Sequence, residues 1–129
     1  MFERIICLAL ALSVAGCLTI EPRSPAQLQG ALATTMKIKK PDGNGPFPTV
    51  LILHGANEPT WRKGYADWMD WLTARGYAAV FIDSAAARGV SANAMMGPGL
   101  MPIERAADVF VTLDLLRRRP FVDARRLAV

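Results

Sequence analysis

The sequence predicts an α/β fold in which a mainly parallel sheet is flanked by helices. Two apolar runs, 49–53 and 77–83, do not alternate with polar residues, which is typical of strands covered by helices on both faces. A helical pattern lies between them and ends at Gly76. A strand, a helix and a strand in this order indicate a right-handed βαβ unit with two parallel, neighbouring strands.

The composition fits one small domain and excludes several kinds of site. The 129 residues are 52% hydrophobic and 20% charged, which is typical of a folded chain. Cys7 and Cys17 lie in or beside an N-terminal apolar segment, and His54 is the single histidine, so we expect no metal site and no cofactor. The net charge of +4 owes much to arginines near the C-terminus. No aromatic residues are interleaved with them, so we expect no nucleic-acid partner.

Residues 1–16 are predicted to be a signal peptide. The apolar stretch 5–16 has about the length of a signal-peptide core and is short for a membrane span. Residues 14–17, Val-Ala-Gly-Cys, resemble a bacterial lipobox, whose cysteine becomes lipid-modified. This favours an exported lipoprotein, anchored on the periplasmic side of the membrane through Cys17. The alternatives are a secreted protein cut after Ala15 and a buried core helix, which the prolines that follow disfavour.

The remaining chain divides into a tether and a folded part. Residues 17–32 are predicted to be a tether or a poorly ordered lead-in, and 33–129 the domain. The domain begins with an alternating segment, 34–40, which predicts a half-exposed edge strand. The turn-forming cluster 41–46 predicts a hairpin-like return into the buried strand 49–53.

Two amphipathic helices are predicted, and a long loop separates the second buried strand from the second helix. The first helix begins near Thr60, and its apolar stripe is expected to face the core rather than a ligand. Its stripe is Trp61, Tyr65, Trp68 and Leu72. The loop spans 84–102 and contains three methionines; a loop of this length is either functional or mobile.

The second helix is predicted from Ile103 to about Arg118, and Pro120 prevents its continuation. Its predicted inward residues are Ile103, Ala106, Phe110, Leu113 and Leu116. Its predicted outward residues are Glu104, Arg105, Asp108, Asp114 and Arg117. The segment 122–129 then reads as a loop that enters another apolar strand.

Together these pieces resemble the N-terminal half of the dienelactone hydrolase family of α/β-hydrolases over residues 34–129. The matching segments are Gly45 to Gly55, Trp68 with Leu72 and 74–78, Asp83-Ser84 with 88–90, 105–108, and 120–129. The resemblance implies hydrolysis of a small-molecule ester or lactone by a serine or cysteine nucleophile.

The same resemblance implies that the catalytic triad lies outside this sequence. In that fold the nucleophile sits on a Gly-x-Ser/Cys-x-Gly elbow directly after a strand, and the acid and histidine follow it. The strand before the elbow corresponds to 127–129 here. We therefore expect no catalytic residue within the 129 and no activity from the chain alone.

The resemblance leaves this sequence half of an oxyanion hole. The loop of His54, Gly55, Ala56 and Asn57 would supply one main-chain N–H, from Ala56 or Asn57. His54 is expected to shape this loop and not to act as a base.

Three further residues are expected to have structural roles near the site. Asp83 would tie down its loop, with Arg88 as the suggested partner. Ser84 follows an apolar strand but lacks the glycines of a nucleophile elbow.

Two other functions remain as alternatives. One is a non-catalytic, membrane-tethered binding or remnant protein of the same fold. Such a protein would leave a sheet edge with unpaired backbone N–H and C=O groups. Because such an edge promotes aggregation, we expect the isolated chain to be poorly soluble. The other is a nucleotide-binding α/β domain, which the absence of Gly-x-Gly-x-x-Gly after the first buried strand disfavours.

Overall fold

The computed structural model describes residues 23–55, 60–93 and 101–129. The predicted signal peptide and Cys17 lie outside these ranges. The helices are Pro25–Thr35 (α1), Lys63–Thr73 (α2), Ser84–Arg88 (α3) and Pro102–Arg117 (α4). The strands are Lys37–Lys39 (β1), Phe47–Leu53 (β2), Ala78–Ile82 (β3) and Val122–Ala128 (β4). None of the helices in the described ranges is long and apolar enough to cross a membrane.

The strands form one mixed sheet in the order β1-β3-β2-β4. Strands β3 and β4 both run parallel to β2, and β1 runs antiparallel to β3 at the edge. Helix α2 connects β2 to β3, which is the predicted βαβ unit. The partial α/β fold is therefore confirmed, with helices on both faces of the sheet.

The predicted hairpin between the first two strands is wrong, because β1 pairs with β3 and not with β2. The turn-rich segment instead carries the chain to the start of β4. There Phe47 N–H donates to the carbonyl oxygen of Phe121 at 2.7 Å. A Cβ on Gly45 would lie 2.7 Å from that same oxygen, so only glycine allows this approach. Turn residues specify a change of direction, but they do not specify which strand the chain joins next.

The predicted tether is wrong over its second half, where the chain forms α1. Ser24 caps this helix: its hydroxyl accepts from the N–H of Gln27 at 3.3 Å, and the Gln27 side chain accepts from Ser24 N–H at 2.8 Å. Pro25 occupies the first turn, where its fixed φ suits a helix. Leu28 and Leu32 are buried. Residues from Ser24 onward therefore belong to the folded domain.

The sheet is covered differently on its two faces, and β3 is buried on both. On one face Phe81 packs with Met69 of α2, and on the other Val80 packs with Leu116 of α4. All five residues of β3 are buried, as predicted. Strand β2 is less covered than predicted, and Leu53 at its end is 38% exposed.

The inward face of each long helix differs from the prediction. In α2, Met69 is buried while Trp68 is 60% exposed. In α4, Ile103 and Phe110 are 76% and 70% exposed, whereas Asp108 is fully buried. Ala106 is exposed as well.

The loop predicted over 84–102 contains the short helix α3. Asp83 caps it, and Gly89 ends it with a φ of 67°. Within the same segment, Met95, Met96 and Leu100 lie outside the described residues, and Met101 is exposed.

Candidate active site

His54 and Asp83 meet at the edge of the sheet where β2 and β3 end. Each residue directly follows its strand, and parallel strands place their carboxyl ends at the same edge. The Nε2 atom of His54 lies 3.9 Å from Oδ1 of Asp83. The topology that the sequence predicts therefore brings two of the predicted site residues together.

The imidazole of His54 is almost completely buried. Its Nδ1 lies 2.7 Å from the carbonyl oxygen of Gly55, which orients the ring against its own loop. Its ring also lies 6.3 Å from that of Phe81. Nε2 is buried and has no hydrogen-bond partner among the described residues. A buried ring nitrogen in this state is uncommon, because an unmade hydrogen bond costs about 1–3 kcal/mol.

The main chain around His54 is held from two helices. Gly55 N–H donates to the phenolic oxygen of Tyr65, on α2, at 2.9 Å. The Arg105 guanidinium, on α4, donates to the carbonyl oxygen of His54. The loop therefore leaves β2 in a fixed direction. Ala56 and Asn57, the predicted oxyanion-hole donors, lie outside the described residues, so their role stays a prediction.

Asp83 holds two backbone segments through its two oxygens. Oδ1 accepts from the N–H of Ala86 at 2.9 Å and so caps α3. Oδ2 accepts from the hydroxyl of Thr60. This geometry fits the predicted structural carboxylate, although the partners are Thr60 and Ala86.

The suggested contact between Asp83 and Arg88 is wrong, because Arg88 pairs with Asp108. The Nη2 and Nε atoms of Arg88 lie 2.7 and 3.1 Å from the two carboxylate oxygens of Asp108. Nη2 also donates to the carbonyl oxygen of Glu104 at 2.9 Å. This pair joins α3 to α4. Asp108 was predicted to face solvent because charged residues rarely lie inside without a partner, and the partner comes from a distant part of the chain.

A groove of about 630 Å³ opens beside this edge of the sheet. It is lined by Leu53, Ser84, Pro102, Arg105, Ala106, Val109 and Phe110. Ser84 begins α3 and is buried, so it does not have the exposed setting of a nucleophile elbow. The groove is mostly apolar, as small-molecule sites are, with one cation and one hydroxyl on its wall.

The sequence did not single out Thr60, Tyr65, Arg105 and Asp108 as neighbours of the site. Tyr65 was assigned to the core stripe and Arg105 to the exposed face of its helix. Arg105 contacts His54 across 51 residues and Asp108 contacts Arg88 across 20, so no local pattern marks these contacts. Tyr65 and Thr60 are nearer in sequence, 10 residues from Gly55 and 23 from Asp83, but their contacts depend on where α2 and the segment before it are placed. Within the described ranges, no three metal-binding side chains of His, Cys, Asp or Glu cluster together.

Comparison with known proteins gives one distant relative. No family profile matches the sequence. Over 83 residues, which are 64% of this chain, it is 25% identical to acylamino-acid-releasing enzyme 1 of Oryza sativa subsp. japonica. The match spans 11% of that enzyme's length. The relative is a serine hydrolase of the α/β-hydrolase superfamily.

Proposed function

We propose that this chain is the N-terminal part of an exported, dienelactone hydrolase-like enzyme that cleaves a carboxylic ester or lactone. The observation that supports it most is the junction of β2 with His54 and Gly55. There a loop braced by Tyr65 and Arg105 meets Asp83 beside an apolar groove.

The loop contributes electrostatics to such a reaction. When a nucleophile attacks a carbonyl carbon, the carbonyl oxygen becomes negative and needs N–H donors already in place. We propose that the N–H of Ala56 or Asn57 is this donor, directly after the segment that Tyr65 and Arg105 hold. His54 acts as a positioning residue, because its buried ring hydrogen-bonds to the carbonyl oxygen of Gly55.

The catalytic triad belongs to the part of the enzyme beyond Val129. Strand β4 runs parallel to β2 with Ala128 paired to Val50, so the chain is heading toward the sheet edge of the His54 loop and would reach it a few residues after Val129. A nucleophile elbow that follows β4 would present its side chain beside this loop. The relative is itself far longer than the matched region.

Exposed apolar side chains on α4 and at the end of β2 also support the proposal that the chain is part of a larger protein. Leu53, Ile103 and Phe110 are exposed, and Leu53 and Phe110 also line the groove, where a following helix would cover them. The alternative is a non-catalytic, membrane-tethered binding or remnant protein of the same fold. Such a protein would have to keep these apolar side chains exposed or cover them with a ligand.

The DNA downstream of codon 129 tests the proposal. We expect codons for Gly-x-Ser/Cys-x-Gly within a few residues of Val129. The protein that includes them should hydrolyse p-nitrophenyl acetate, and its nucleophile-to-Ala variant is the control. The 129-residue chain should give only background hydrolysis. If no such codons occur in any frame and the 129-residue chain folds cooperatively as a monomer, the remnant alternative is correct.

We also propose that Cys17 carries a lipid and anchors the protein at the periplasmic side of the membrane. Labelled palmitate should enter the wild-type protein in a bacterial host and should not enter Cys17→Ser. Cys7→Ser is the matched control, because this cysteine lies in the segment that would be removed. Incorporation that persists in Cys17→Ser would place the lipid on another residue and contradict the anchor at Cys17, whereas no incorporation into the wild-type protein would favour cleavage after Ala15.

A further inference from the structure

The outer face of α2 carries a pair of exposed tryptophans that the proposed chemistry does not use. Trp68 and Trp71 are 60% and 47% exposed, and their rings meet edge to face at 5.6 Å. The guanidinium of Arg75 lies 3.9 Å from the centre of the Trp71 ring. Trp68 and Trp71 lie about one turn apart on α2, and Arg75 follows two residues after its end.

The inner face of the same helix accounts for its packing without these residues. Met69 is buried against Phe81, and Tyr65 and Leu72 pack beside it. The two tryptophans are therefore not needed to close the core. Large aromatic side chains bury 150–250 Å² each when covered, so leaving two of them in water is costly unless a partner covers them.

The charge around the pair is mainly positive. Lys63 and Lys39 form ion pairs with Asp67 and Asp70 at the two sides of the helix. Arg75 stacks on Trp71, and Lys37 of β1 lies 4.9 Å from the Trp61 ring centre. The surface thus combines two tryptophans with four cations and two carboxylates.

We infer that this face of α2 docks on an anionic lipid bilayer. Tryptophan prefers the interface of a membrane, where its ring lies among the headgroups and its N–H reaches water. Lysine and arginine near the surface add attraction to anionic headgroups. Arg75 covers one face of the Trp71 ring, so that face is not open to a stacked nucleobase.

The inference rests on the side chains of this face alone and does not depend on the hydrolase proposal or on a lipid at Cys17.

Tryptophan fluorescence of the full chain on vesicles tests this orientation. Three variants each keep one tryptophan and carry phenylalanine at the other two. On vesicles of phosphatidylglycerol and brominated phosphatidylcholine, we expect Trp68 and Trp71 to shift to the blue and to be quenched several-fold more than Trp61. Trp61 is the internal control, because its ring packs against Phe81 at 4.9 Å. Arg75→Glu, or vesicles without the anionic lipid, should reduce the quenching at Trp68 and Trp71.

Equal quenching of the three tryptophans, or none, would overturn the inference. So would a blue shift that depends on protein concentration and not on lipid, which would indicate a second copy of the chain. Stronger quenching by a single-stranded oligonucleotide than by vesicles would indicate nucleic acid instead. Since Trp61→Phe touches the core, the single variants Trp68→Phe and Trp71→Phe repeat the test without it. Each should lose part of the lipid-dependent quenching.

Discussion

Helices α2 and α4 both expose large apolar side chains, but their rotation is fixed by different forces. Apolar contacts orient α2, with Met69 buried on Phe81. In α4 a carboxylate points inward, since Asp108 is fully buried and paired with Arg88. This pair faces the interior in place of Phe110. The comparison shows that one buried ion pair can rotate a helix away from the orientation that its apolar residues predict. Some of those apolar residues, such as Phe110, are then exposed to solvent.

Breaking the ion pair should have the largest effect on stability. Asp108→Ala leaves the Arg88 guanidinium mostly buried without its main partner, which costs about 3–5 kcal/mol in comparable pairs. Urea unfolding, followed by circular dichroism, measures the loss. Asp114→Ala is the matched control: its pair with Arg117 is exposed on the same helix, and it should cost at most about 1 kcal/mol.

The double variant Asp108→Leu/Arg88→Met separates the pair's net contribution from the cost of leaving one charge alone. Removing both charges together should recover most of the stability that Asp108→Ala loses. If the single variant unfolds no more easily than Asp114→Ala, Asp108 does not fix the rotation of α4.

Removing an apolar contact from α2 should have the next largest effect. Met69→Ala leaves a cavity beside Phe81 and should cost about 2–4 kcal/mol of unfolding free energy. Trp68→Ala, one residue earlier, should cost much less, because the Trp68 side chain is largely in water. Thermal unfolding of both variants measures the difference. A larger loss in Trp68→Ala would show that the outer face of α2 contributes to the fold.

The α/β fold could be predicted from the sequence because its signals are local. The apolar run of β3, the helix before it and Gly76 lie within one continuous stretch, and the structure has them as predicted. The partner of β1, the rotation of α4 and the pair of Asp108 with Arg88 depend on contacts between distant residues. No periodicity in one segment reports such a contact.

The candidate site divides in the same way. That His54 and Asp83 lie at one sheet edge follows from parallel strands. The contacts of Tyr65 and Arg105 with the His54 loop depend on how two helices are placed. The sequence does not predict α1 for another reason. Its capping box is present in the sequence, but the composition of the residues around it is typical of a tether.

The ion pair of Asp123 with Arg126 on β4 should have the smallest effect, because the Arg126 side chain is 59% exposed to solvent. The hydrogen bond from the Arg126 side chain, followed by that from Arg125 N–H, lowers the pKa of Asp123 below its ordinary value of 3.8. A carboxyl whose pKa is lower in the folded state stabilises that state above its unfolded pKa. This contribution disappears as the pH falls through the folded pKa.

Asp123→Asn should therefore be slightly less stable than wild type near neutral pH, and the difference should vanish in strong acid. Unfolding by urea at pH 7 and again below the folded pKa measures both differences, and Arg126→Gln should reproduce most of the effect by removing its main cause. A difference that stays constant across this range would mean that Asp123 acts through packing and not through its charge.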